Sequence, residues 1–272
     1  MHEEIYKEIL KAKKEGIGCV LVSVVDKRGS GPSRVGAKML VLEDGRHIGT
    51  IGGGSLEQIA IKKAISLIEK KEHLLEKYNL NEKGKDGIIL SDMVCGGNVM
   101  VFYEYTGAGY PAYIFGAGHV GGHIIQLLSN MDYFVHVIDP RKETTNPISE
   151  NIKIHNVEYT EFFKEKPHFK NAFVFIGTPN HYTDLEVLKG IYSQNTLPLY
   201  VGLLASKKKA KVIIESLKEE LGDISLYNLY TPCGLDIGGD SPFEIALSVI
   251  SEMQGIRYKK KGLPHKRMTW YI

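Results

Sequence analysis

Two groups of residues in this chain have types and spacing suited to holding anions. In the first, Arg34 and Lys38 sit in the glycine-rich stretch 28–38, and Gly52-Gly53-Gly54 runs into Ser55-Leu56-Glu57. Successive backbone amides at a helix start, with cations nearby, bind phosphate esters and other compact anions. The same glycines also suit a turn that needs positive φ, and Glu57 in a first helical turn is favourable without any chemical task. In the second group, Gly116, Gly118 and Gly121 form a GxGxxG loop, Gly116-Ala117-Gly118-His119-Val120-Gly121, with Asp139 following at the end of the next apolar run. After a strand and before a helix, that spacing allows a tight turn and close approach of a diphosphate. Asp139 favours a ribose hydroxyl over a 2′-phosphate, a preference that Arg141, two residues on, blurs.

Sulfur and imidazole supply the remaining candidates. Cys95 precedes Gly96 and Gly97, which permit close backbone approach, so its thiolate is a candidate ligand for a soft metal such as molybdenum. Cys19 opens an apolar run and reads as a small core residue, while Cys233 lies in a loop and stays undecided. Three cysteines without CxxC spacing argue against a disulfide framework or a structural zinc site. His181 and Asp184 sit in a loop that opens a helix, where Thr183 and Glu186 have capping-box spacing. A histidine there serves as proton carrier or metal ligand, or as a loop residue satisfied by backbone. Ser206 before Lys207-Lys208-Lys209 gives either a phosphate grip or a solvated helix face. No Ser-His-Asp order or carboxylate pair stands out, so no catalytic residue is assigned.

The elements that must carry these groups follow from periodicity. A helix over 3–15 precedes an apolar β run, Cys19 to Val25, and Met39–Leu42 enters a hairpin at Asp44-Gly45. A helix over 56–71 follows, with Ser55 and Gln58 as its capping pair, then a polar surface loop at 79–88 and a strand at Val99–Tyr103. From Ala112 the pattern becomes strand, glycine loop, helix to Ser129 and strand 134–138. Apolar runs at 172–176 and 199–201 alternate with helices near 183–193 and 207–221, and Ser241-Pro242-Phe243-Glu244 starts another helix. The expected fold class is α/β: an N-terminal α+β domain over 1–106, then a Rossmann-like, doubly wound parallel sheet over 110–272. Gly107-Ala108-Gly109 is the expected linker.

Composition narrows the function. In 272 residues, 34 lysines and arginines face 32 aspartates and glutamates, so no global field draws the chain to nucleic acid or to a membrane, and any anion site is local. The charged, helix-patterned start and the lack of long apolar runs give the expectation of a cytoplasmic protein.

Taken in order, Gly29-Ser30-Gly31-Pro32, Gly36-Ala37-Lys38-Met39, Gly49 to Glu57, Cys95-Gly96-Gly97, the GAGHVG loop and Gly234-Leu235-Asp236-Ile237-Gly238-Gly239 resemble the XdhC/CoxI family of xanthine dehydrogenase accessory factors. The resemblance spans nearly the whole chain and implies an N-terminal XdhC/CoxI-type domain and a Rossmann-like XdhC C-terminal domain. It implies a protein that binds molybdenum cofactor (molybdopterin), protects it during sulfuration by a cysteine desulfurase and delivers it to a molybdenum hydroxylase of xanthine dehydrogenase type. It also implies a homodimer that acts as a carrier rather than a turnover enzyme. The matching site positions are Arg34, Lys38, Gly52, Gly53, Gly54, Glu57 and Cys95. Ser55 departs from the cysteine that many relatives carry there, and Lys207-Lys208 depart from arginines. The competing reading is an oxidoreductase using NAD or NADP, with Gly116, Gly118, His119, Gly121 and Asp139 at the nucleotide and His181 near the substrate.

Overall fold

A single strand in the N-terminal part faces two helices at once, and that requirement shapes the first unit. The computed structural model describes residues 2–29, 33–79, 97–141, 149–167, 169–222 and 224–260. The chain forms two units, Met1–Gly109 and Tyr110–Ile272.

In the first unit the order is α1 (His2–Glu15), β1 (Cys19–Gly29), β2 (Lys38–Leu42), β3 (His47–Gly49), α2 (Gly54–Lys70), β4 (Leu74–Asn79) and β5 (Gly97–Tyr105). The strands make one antiparallel sheet in the order β3-β2-β1-β5-β4. Because side chains alternate along a strand, Val20, Val22 and Val24 of β1 point to one face with Met39 and Val41 of β2, where Leu56, Ala60, Ala64 and Leu67 of α2 cover them. Cys19, Leu21, Leu40 and Leu42 point to the other face, under Ile5 and Ala12 of α1. Each fully buried aliphatic side chain contributes roughly 1.5–3 kcal/mol, so two short helices suffice to hold both faces. β1 runs longer than the apolar run suggests, because a bulge between Val24 and Asp26 lets it continue to Gly29 and leaves Val25 exposed. β4, unassigned from the sequence, is an edge strand with charged residues. The loop expected at 79–88 lies outside the described residues from position 80 onward.

The second unit runs β6 (Tyr110–Phe115), α3 (His119–Ser129), β7 (Tyr133–Ile138), β8 (Ile152–His155), α4 (Tyr159–Phe162), β9 (Phe173–Ile176), α5 (His181–Tyr192), β10 (Tyr200–Leu203), α6 (Lys207–Leu221), β11 (Leu229–Tyr230) and α7 (Pro242–Arg257). Its six strands are all parallel, in the order β11-β10-β9-β6-β7-β8. That is the doubly wound arrangement in which the chain starts in the middle and winds outward both ways. Ile124, Ile125 and Leu128 of α3 and Ala246, Val249 and Met253 of α7 cover one face. Phe162, Val187, Ile191, Ile213 and Leu217 from α4, α5 and α6 cover the other. The expected Rossmann-like sheet is therefore present, and the reading of the sequence missed only its short pieces, β8, α4 and β11.

Candidate functional site

The first candidate lies at the start of α2. Gly52, Gly53 and Gly54 have φ of 125°, 75° and 68°, so three consecutive left-handed residues place the helix cap on Gly53, which has no side chain to cap with. The expected Ser55/Gln58 box consequently does not form. Instead Glu57 reaches back: its Oε2 accepts the Gly53 and Ile51 N–H groups, each at 3.2 Å, and the Thr50 hydroxyl at 2.5 Å. Glu57 is thereby committed to shaping the turn. Ser55, expected to cap, is left with a buried hydroxyl that has no hydrogen-bond partner among the described residues, and the same holds for Ser33. Ser33 belongs to this turn, because a Cβ on Gly52 would lie 2.8 Å from both its nitrogen and its hydroxyl.

The two cations flanking the loop fare differently. Arg34 is exposed and closes a turn, its carbonyl accepting the Ala37 N–H at 3.0 Å. Lys38 ties the hairpin to the glycine turn through its carbonyl, which accepts the Thr50 N–H at 3.1 Å. Its ammonium donates to Ser23 Oγ at 3.1 Å, on the sheet face that α1 covers. In this structure the Lys38 ammonium is therefore bonded to Ser23. Residues 30–32 of the GSGP segment and Cys95, the candidate metal ligand, lie outside the described residues. Cys19 is fully buried, and burial pushes its thiol up despite a contact to Thr106 Oγ1 at 3.5 Å. Cys233 is core as well. Among the described residues no group of three or more histidines, cysteines or carboxylates is placed to hold a metal, and no helix is long and apolar enough to cross a membrane.

The second candidate is a crevice of about 640 Å³ at the carboxyl ends of β6 and β9, where the strand order reverses. It is lined by the loop Gly116–His119, by Gly122, His123 and Gln126 of α3, by Arg141, and by Gly177 and Pro179. The three glycines of the loop divide the work. A Cβ on Gly116 would meet Gly177 O at 2.4 Å, and one on Gly121 would meet Gly116 O at 2.0 Å, so both are packing positions. A Cβ on Gly118 would meet nothing within 4 Å, so this residue opens on the crevice. His119 is exposed at the start of α3 and lines the same space.

Asp139 is only 1 % exposed and its oxygens already carry four hydrogen bonds. Ala117 N–H (2.8 Å) and Arg141 Nη2 (2.8 Å) donate to Oδ2, while Arg141 N–H (3.0 Å) and Nε (2.9 Å) donate to Oδ1. Burial pushes this carboxyl up, but the Arg141 and Ala117 bonds outweigh it and hold it below the usual range. His181, by contrast, is exposed at the start of α5 with its ring against Tyr182. The cap of that helix is Asn180, whose Oδ1 accepts the Tyr182 and Thr183 N–H groups at 3.0 Å, in place of the expected Thr183. Asp184 is fully buried rather than facing the crevice: Oδ1 accepts the Thr178 N–H and hydroxyl, and Oδ2 pairs with Lys209 at 2.8 Å. Glu252, which the sequence did not single out, is 2 % exposed and anchors the Cys233–Ser241 loop, accepting the Gly234 N–H and the Tyr200 hydroxyl at 2.8 Å each. Its place in an amphipathic helix gives no sign of this role.

Comparison with known proteins accords with this architecture. The family model of the XdhC Rossmann domain matches residues 112–253, and that of the XdhC and CoxI family matches residues 12–79. YqeB of Escherichia coli (strain K12) is 30% identical over 262 residues, 95% of this chain and 47% of YqeB, so the chain spans about half the length of that relative. The molybdenum cofactor insertion chaperone PaoD of Escherichia coli (strain K12) is 37% identical over 67 residues, 25% of this chain and 21% of PaoD. A crystal structure of a xanthine dehydrogenase from Bacillus halodurans shares the fold, with a TM-score of 0.51 at 18% identity, covering 95% of this chain and 96% of that one. With a Rossmann-domain match over more than half of its residues and an N-terminal match beside it, the chain belongs to the XdhC and CoxI family.

Proposed function

We propose that this protein binds a molybdenum cofactor at the glycine turn of its first unit and helps insert it into a molybdenum hydroxylase of xanthine dehydrogenase type. The observation that carries the reading is the pair of buried hydroxyls, Ser33 and Ser55, that lack hydrogen-bond partners among the described residues, beside a turn of three left-handed glycines. An unsatisfied buried hydroxyl costs about 1–3 kcal/mol, which a ligand that accepts its hydrogen bond would recover. The phosphate monoester of a pterin cofactor is such a ligand, and the start of α2 adds backbone dipoles of the right sign. The residues present therefore fit the group. Ser33 and Ser55 would hold the phosphate, Glu57, whose carboxylate already takes the Ile51 and Gly53 amides, fixes the turn that carries them, and exposed Arg34 adds charge at the rim. Bound molybdenum would supply the redox chemistry in the recipient enzyme. The name of PaoD as an insertion chaperone supports the same assignment. Sulfuration of the cofactor with a cysteine desulfurase and homodimerisation are further parts of this reading, and Cys95 is its candidate molybdenum ligand.

A carrier also accounts better than an oxidoreductase for the placement of His181. The histidine that substrate chemistry would need stands on the exposed start of α5 and is not among the residues lining the crevice, which is walled by the glycine loop, α3, Arg141, Gly177 and Pro179.

The test is equilibrium dialysis against cofactor released from a donor molybdoenzyme. Stoichiometric molybdenum retention by the wild type that falls in Ser33→Ala/Ser55→Ala is the expected result, with further weakening in Cys95→Ala if sulfur ligates the metal. No retention by the wild type would overturn the proposal.

A further inference from the structure

We propose that Arg141 makes the Rossmann crevice selective for an adenine dinucleotide carrying a 2′-phosphate, NADP(H) rather than NAD(H). This ligand belongs to the second unit, and the inference does not rest on the molybdenum reading of the first.

In a doubly wound nucleotide fold, the carboxylate at the end of the second strand distinguishes the two dinucleotides by accepting the ribose hydroxyls. Asp139 holds that position after β7, but a carboxylate has only about four acceptor sites. All four are filled, two by the Arg141 side chain, one by the Arg141 N–H and one by the Ala117 N–H of the glycine loop. With 1 % of its surface exposed, Asp139 has no acceptor facing a ribose. Its role is to brace the loop and the arginine.

What the crevice presents at this point is the guanidinium. The Arg141 side chain is 54% exposed and lines the crevice together with Gly118 and His119. An arginine held in a two-pronged bond to a buried carboxylate is already oriented, so little rotamer freedom is lost when a phosphate arrives. The carboxylate sits behind the cation, and an incoming anion meets the cation first. A neutral ribose hydroxyl gains far less from the same group. Room for the diphosphate is left at Gly118, whose absent side chain faces empty space, and the crevice is of the size that holds a small-molecule ligand.

The experiment is a titration of the full chain with NADPH and with NADH, read by nicotinamide fluorescence, for wild type, Arg141→Ala and Arg141→Gln. Glutamine keeps a hydrogen-bond donor for Asp139 while removing the charge, which guards against a variant that fails to fold; circular dichroism checks both. The expected result is at least tenfold tighter binding of NADPH than of NADH in the wild type, with the ratio reduced to within about twofold in the glutamine variant. Adenosine 2′,5′-bisphosphate should compete with NADPH and adenosine 5′-monophosphate should not. Equal or tighter binding of NADH, an unchanged ratio in Arg141→Gln, or no binding of either dinucleotide at millimolar concentration would each overturn the proposal.

Discussion

Lys209 lies 2.8 Å from Asp184, and the two meet behind the turn that follows β9. Asp184 is fully buried, its other oxygen holding the Thr178 N–H and hydroxyl, so the pair pins α5, α6 and the wall of the crevice together. The lysine side chain is a third exposed, which lets the ammonium stay partly hydrated and lowers the cost of burying the pair.

Lys209→Met should therefore destabilise the protein by roughly 3 kcal/mol, because it leaves an uncompensated carboxylate in the core. Asp184→Asn should cost less, since the amide can still accept from Thr178. Urea midpoints of the two variants check the ordering, and a smaller loss for Lys209→Met than for Asp184→Asn would show that the pair is not what holds the turn.

Gly118 and Gly121 should behave in opposite ways. Gly121→Ala forces a methyl to within 2.0 Å of Gly116 O, backbone that cannot step aside, so it should prevent α3 from seating and leave the protein largely insoluble. Gly118→Ala meets nothing and should keep the wild-type melting temperature. It should nevertheless weaken nucleotide binding about tenfold, or roughly 1.4 kcal/mol, by occupying the space a diphosphate needs. Thermal melts and nucleotide titration of the two variants decide the matter.

Much of this was legible in the residues. The GxGxxG spacing after an apolar run placed β6, the loop and α3 correctly, and Ser241-Pro242-Phe243-Glu244 forms the capping box it promised. What misled were the side chains whose partners are set by the folded backbone and packing and not by spacing along the chain. Ser55 has the type and spacing of a cap, but the left-handed φ of Gly53 moves the helix start and hands the amides to Glu57. Asp139 has the spacing of a ribose ligand, but Arg141 fills its acceptors from only two residues away. Lys209 is indistinguishable from its neighbours in a lysine run until α6 docks beside Asp184.

Glu57→Ala should loosen the first unit and its proposed cofactor turn together. Three donors, from Thr50, Ile51 and Gly53, lose one acceptor oxygen at once. Hydrogen bonds to a charged group contribute about 1.5–3 kcal/mol each, though water can replace part of the loss at a half-buried site, so a net destabilisation of about 2 kcal/mol is expected. Molybdenum retention should fall in the same variant. Hydrogen exchange at the Ile51 and Gly53 amides measures the loosening directly, and unchanged protection there would remove Glu57 from its positioning role.

Acid should destabilise the second unit through His136. Burial, reinforced by the neighbouring His155 and Lys153, holds its pKa down to about 3, and His155 is lowered by burial and by Lys153 against the opposing pull of Glu165. The two rings share one hydrogen bond, His136 Nδ1 to His155 Nε2 at 3.1 Å, which requires a neutral partner to accept the proton. In the unfolded chain a histidine binds its proton near pH 6.5, so below that value the unfolded state takes up protons that the folded state refuses. The stabilisation is complete above about pH 6.5 and is lost as the pH falls towards about 3, at up to roughly 1.4 kcal/mol per pH unit for each histidine. His136→Phe keeps the stack on Tyr113, whose ring lies 4.5 Å away, and removes that titration. Its unfolding free energy should fall less steeply than the wild type's between about pH 6 and pH 4, and parallel slopes would mean that His136 is not the group whose protonation is refused.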